Sequence, residues 1–146
     1  MGTLLQILYT RFQTKIDEDI AGKEGLIFSL VDVAIAKSYK TCRHSLNYVL
    51  DEPIYDEEEN ITNLYEGSFD DILDSDEIEL LALWMLYEWN RREQQRLIKL
   101  KRDIGTSDFN RLEGKKEQLQ SVNSSMKITK EDITDLVNDF NTYKYS

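Results

Sequence analysis

The chain has 146 residues, 40% of them hydrophobic and 32% charged, with a formal net charge of −10. That length fits one domain, the apolar fraction supports a modest core and excludes a fully disordered chain, and the acidic balance lacks the basic stripe of a tight duplex-DNA binder. A single cysteine, Cys42, excludes an intramolecular disulfide and fits a reducing compartment.

The apolar start of the chain, residues 1–9, lacks a basic n-region and a small-residue cleavage site, so it does not read as a signal peptide. No window reaches the roughly 20 apolar residues that a bilayer span needs. The expectation is a soluble chain in the cytoplasm where it is made, with no membrane partner. Leu4, Leu5, Leu8, Phe12 and Ile16 recur at helical spacing and predict a helix over residues 3–16 with Thr3 as its cap. Asp17, Glu18 and Asp19 then place negative charge where the helix dipole disfavours it, and Gly22 and Gly25 bracket a loop. A second helix is expected over residues 26–49. Leu26, Ile27, Leu30, Val31, Ala34 and Ile35 form its stripe, and Tyr39, Cys42, Leu46 and Val49 extend it. Pro53 ends any remaining helix.

Residues 51–79 carry thirteen carboxylates and no Lys or Arg. A long loop is expected here, with a short hairpin or helical turn inside it; a loop of that length in a small domain usually has a role or is mobile. The third helix, Ser75–Ile104, is the clearest element. Asp74 or Ser75 caps it, Asp76 and Glu77 load its first turn, and Arg91, Arg92, Arg96, Lys99, Lys101 and Arg102 load its last half, so both ends complement the dipole. Between residues 78 and 89 only Glu79 and Glu88 interrupt the apolar run. Such a helix needs cover on several sides, from its own bundle, from a second subunit, or from both.

After a turn at residues 106–109, a fourth helical region carries Leu112, Leu119, Val122 and Met126, weakened by Gly114. Thr129 reads as a new N-cap before a final stripe of Ile133, Leu136, Val137 and Phe140. The tail holds Tyr143 and Tyr145, anchors for docking on a neighbour or for folding back on the domain. The fold class expected is mainly α: a bundle of about four helices, an acidic loop and a possible β-hairpin.

Chemistry-bearing motifs are few. His44 and Cys42 amount to half a metal site whose other ligands are not evident, and residues two apart on a helix diverge; packing at a helix rim is the plainer reading. Residues 70–76 do not fit an EF-hand loop. Asn60-Ile61-Thr62 matches a glycosylation sequon that a cytoplasmic chain does not use. No phosphate loop or nucleophile elbow occurs. The expectation is therefore a non-enzyme with no catalytic, cofactor or metal residues. Trp84, Tyr87 and Trp89 are open to three readings: core, ligand platform, or interface with Arg91 and Arg92 at its rim.

The run from Asp76 to Trp89, Asp-Glu-Ile-Glu-Leu-Leu-Ala-Leu-Trp-Met-Leu-Tyr-Glu-Trp, resembles a helix of the head–tail connector proteins of long-tailed bacteriophages, also called head-completion or adaptor proteins. The resemblance extends to Ser107-Asp108-Phe109, to residues 116–119, to Tyr143-Lys144-Tyr145, and to the early helix with Leu26-Ile27 and residues 30–34. It covers about two thirds of the chain and rests on patterns, and the acidic stretch 51–66 has no counterpart in it. It implies a small helical subunit of a dodecameric ring in the virion neck, between the portal and the next neck or tail-completion protein, assembled in the host cytoplasm. DNA passes through such a ring without tight binding, which suits carboxylates lining a lumen.

On that basis the subunit-interface candidates are Trp84, Tyr87, Trp89, Arg91 and Arg92. The portal-docking candidates are Phe140, Tyr143 and Tyr145, within a C-terminal segment 128–146. The lumen- or partner-facing acids are Asp56, Glu57, Glu58 and Glu59. Two other classes stay open: a small acidic cytoplasmic regulator that inhibits one protein partner, and a metal-dependent enzyme that uses the acidic loop.

Overall fold

The computed structural model describes residues 2–104 and 108–144, with Phe109, Tyr143 and Lys144 by backbone alone. Its elements are α1 (Leu5–Gln13), α2 (Glu24–Ser38), β1 (Tyr48–Leu50), β2 (Gly67–Phe69), α3 (Ser75–Ile104) and α4 (Phe109–Lys144). The fold is mainly helical, with one two-stranded antiparallel hairpin.

The first half of α3 is the centre of the molecule. Ile78, Leu80, Leu81, Ala82, Leu83, Trp84 and Met85 are all buried. Their cover comes from the chain itself: Leu5, Leu8 and Phe12 of α1, Ile27, Leu30, Val31 and Ala34 of α2, and Ile133 of α4 belong to the same cluster, with Leu136, Val137 and Phe140 packed against it. Of the sources of cover that the sequence left open, the chain's own bundle is enough for this stretch. Glu79, on the half-buried side, is held by Lys15 and by Arg11, whose Nη1 lies 2.7 Å from it, so α1 is also tied to α3 by charge.

Several boundaries differ from the expectation. Thr3 does not cap α1; Leu4 takes that position. Thr3 is nearly buried, its backbone bonds Phe69 and Asp71, and its Oγ1 accepts the Leu73 N–H at 2.8 Å. The start of the chain thus runs beside β2, with Leu4 bridged to Ser68. The second helix stops at Ser38, not Val49. The stripe at Tyr39, Cys42, Leu46 and Val49 is accidental, because residues 44–45 peel away to bond Glu77 and Asp71, and Tyr48–Leu50 pairs with β2. Thr129 is not an N-cap either. It is buried inside an uninterrupted α4, and its Oγ1 donates to the Ser125 carbonyl, four residues back.

The hairpin between α2 and α3 orders the acidic stretch. Its register pairs Leu50 with Gly67. A Cβ at Gly67 would lie 2.3 Å from the Val49 carbonyl oxygen, so only glycine allows this approach. Beyond the strands the two legs stay together: Asp51 N–H bonds Glu66, Thr62 N–H bonds Ile54, and Tyr55 is bridged to Ile61. Buried Asn63 links them, accepting the Ile54 N–H and donating to the Glu52 carbonyl. The result is a β-arm, where a loose loop was one expectation.

Candidate interaction surfaces

Two extensions leave the core cluster, and they differ in charge. The first is the β-arm. Its tip is a turn built by Asp56, whose Oδ1 accepts the N–H groups of Glu58 and Asn60, both at 2.9 Å. Glu59 completes the turn with φ 64. Asp56, Glu57, Glu58 and Glu59 are all exposed. Among the described residues none of the seven carboxylates of 51–66 forms an ion pair. The arm also exposes large apolar side chains: Ile54 and Tyr55 at 61%, Leu64 at 55% and Ile61 at 41%.

The base of the arm is fastened to the bundle by aromatics. Phe28 of α2 stacks on Tyr65 with ring centroids 5.0 Å apart, and packs edge-on against Tyr48. Tyr9 donates to the Tyr65 carbonyl at 2.8 Å, and Tyr48 donates to Asp32 at 2.6 Å. Burial and the Asp32 carboxylate push the Tyr48 phenol up to about 12, so the donor keeps its proton at neutral pH. The arm therefore leaves the body at a set angle.

The second extension is the far half of the α3–α4 pair. Leu97 and Met126 are buried yet lie outside the core cluster. Gln94 donates to Asn123 across the two helices at 2.7 Å. Residues 97–116 hold six cations against three carboxylates. Lys99, Arg102 and Arg111 are exposed there and form no ion pair among the described residues, and Ile98 is 43% exposed.

The five residues expected at a subunit interface divide. Trp84 is buried, with Tyr87 edge-on at 5.7 Å and the ammonium groups of Lys37 and Lys130 over its ring, 5.6 and 4.4 Å from the centroid. Trp89 packs edge-on against Phe12, with Lys23 above it. These rings are occupied by their own chain. Arg91 and Arg92 are exposed, Arg91 bonding Glu88 at 3.3 Å. Phe140 is half-buried and lines a cleft of about 710 Å³ with Thr41, Cys42, Asp74 and Leu136. The Tyr143 side chain and Tyr145 lie outside the described residues.

Beside this cleft His44, Asp74 and Glu77 bring ligand atoms within 4.8 Å of one another. Glu77 is fully buried and fully used: Oε1 accepts the Asp74 N–H at 2.9 Å and meets His44 Nδ1 at 2.6 Å, while Oε2 accepts the His44 N–H at 3.0 Å. Burial pushes this carboxyl up, but the hydrogen bonds from Asp74 and His44 outweigh it and hold it below its ordinary range. The bond to Glu77 raises His44 in turn. Asp74 is engaged by Arg43 at 2.9 Å. The cluster is a clasp that caps α3 and anchors residues 43–44, and its polar contacts are made within the chain. Burial and the neighbouring Glu77 push the Cys42 thiol up to about 12, which keeps it protonated and poorly nucleophilic.

No family model, curated protein or solved structure matches the chain. Among the described residues no helix is long and apolar enough to cross a membrane.

Proposed function

We propose that this chain is a structural subunit of a long-tailed bacteriophage neck, a head–tail connector that works by assembling and not by turnover. The observation that carries the reading is a closed helical body bearing two extensions of opposite charge: the arm exposes Ile54, Tyr55, Ile61 and Leu64 beside carboxylates, and the tip exposes Ile98 beside Lys99, Arg102 and Arg111, charges that form no ion pair among the described residues. Large apolar side chains exposed together on one feature mark contact surfaces more often than solvent-facing ones. The likeness of residues 76–89 to the connector helix gives that architecture a setting: a homo-oligomeric ring, dodecameric in that family, between the portal and the next neck or tail-completion protein. A net charge of −10 suits a ring through which DNA slides, since carboxylates facing a lumen repel phosphates. In this reading the protein resides in the virion neck, after assembly in the host cytoplasm.

Native mass measurement and electron imaging of the full chain, alone and mixed with portal rings encoded by the same genome, test the proposal. The expected outcome is a ring, either free or seated on the portal. A chain that stays monomeric and never joins portal rings overturns it. A tight one-to-one complex with a single host or phage protein would instead favour the acidic-regulator reading.

A further inference from the structure

We propose that the acidic β-arm of one copy docks on the basic α3–α4 extension of a second copy, so that each subunit offers an arm to one neighbour and a helical tip to the other. The assignment rests on the ring reading above and specifies its contact. Three features support it.

The first is charge. The arm has seven carboxylates and no cation between residues 51 and 66, and the tip has a cationic excess between residues 97 and 116. The two groups do not pair with each other within the chain among the described residues. Two arms cannot meet each other, because like charges repel. Arm against tip is the complementary match, and such a contact is heterologous, the kind that closes into rings or runs on as filaments.

The second is apolar content. Ile54, Tyr55, Ile61 and Leu64 are exposed on the arm, and Ile98 is exposed on the tip. A charged contact that also removes these side chains from water gains hydrophobic stabilisation that survives screening by salt.

The third is preorganisation. Asn63 ties the two legs of the arm, Asp56 sets its turn, and Phe28, Tyr9 and Tyr48 fix its base. Little conformational entropy remains to be lost on docking.

Charge reversal on both sides tests the contact. An arm variant (Asp51→Lys, Glu52→Lys, Glu57→Lys, Glu58→Lys, Glu59→Lys) makes the arm net positive and leaves the turn-building Asp56 intact, and a tip variant (Lys99→Glu, Arg102→Glu, Arg111→Glu) makes the tip net negative; both change only exposed positions. Circular dichroism and thermal melts matching wild type establish that both fold. Each variant alone, with or without portal rings, is expected to assemble at least about tenfold more weakly than wild type, since each contact now sets like charge against like. Mixed one to one, they are expected to regain oligomers containing equal numbers of each, because every arm again meets a tip of opposite sign. Wild-type assembly by either variant alone, or no recovery in the mixture, overturns the assignment. An arm variant that keeps its rings but loses the portal also overturns it, placing the arm on the portal while the ring reading stands. Wild-type chain that neither self-associates nor joins the portal removes the ring reading, and this assignment with it.

Discussion

The two halves of α3 are one continuous helix in two environments. From Ile78 to Met85 nearly every side chain is buried by three other helices; from residue 90 onward only Leu97 is buried, and α4 is the element that accompanies it. Thirty residues at about 1.5 Å each make a rod of about 45 Å, longer than the small core can wrap. The near half is held by packing, and the far half is free to present charge. The same division recurs in the hairpin, whose base is locked by Phe28, Tyr48 and Tyr65 and whose tip is all exposed carboxylate.

Mutating the two halves of α3 probes this division most directly. Leu81→Ala, at a position with no exposure, is expected to cost about 2–5 kcal/mol in denaturant unfolding through lost burial and a cavity. Ile98→Ala on the far half is expected to cost less than about 1 kcal/mol. Equal losses would break the distinction.

Next in size is the clasp at the start of α3. Glu77→Gln replaces a buried anion that accepts two backbone N–H bonds with a group that must turn a donor towards one of its partners. A loss of about 1.5–3 kcal/mol is expected from equilibrium unfolding.

A smaller gain is expected on the far half. Gly114 is helical, and a Cβ there meets nothing within 4 Å. Gly114→Ala should stabilise by about 0.5–1 kcal/mol, provided α4 is continuous as described. A loss would mean that the helix bends or breaks at that point.

The smallest effect is the pH dependence of the clasp. His44 is raised above its ordinary 6.5, so its contribution is complete below pH 6.5 and is lost as pH rises through its folded value. Glu77 is lowered below its ordinary 4.5, so its contribution is complete above 4.5 and is lost as pH falls through its own folded value. The pair is therefore strongest between those two ordinary values, with Asp74 adding to the raised His44 and Arg43 opposing it. The melting temperature is expected to decline as pH rises above 6.5, and His44→Asn should flatten that decline. An unchanged slope in the variant would remove His44 from the clasp.

What was legible in the sequence follows from local rules. The bounds of α3 come from Asp74, Asp76 and Glu77 at one end and its cations at the other, and its central place from an apolar run that cannot face water. The acidic tip was also readable, at Asp56 to Glu59, because charge patterning needs no tertiary partner. The end of α2 was not. Tyr39, Cys42, Leu46 and Val49 keep the helical period, yet residues 44–45 and 48–50 gain more from Glu77, Asp71 and β2, partners about 20 to 30 residues away. Thr3 and Thr129 misled for the same reason, since a threonine hydroxyl caps a helix or bonds elsewhere according to what surrounds it. The sequence by itself thus determined the helical class, the central helix and the separation of charge, all of which arise within a few turns of chain. Only the tertiary structure decided that the acidic stretch is a braced arm, that Trp84 is buried and that Trp89 packs on Phe12 of its own chain, because those outcomes depend on which distant groups best bury an aromatic ring or satisfy a backbone N–H.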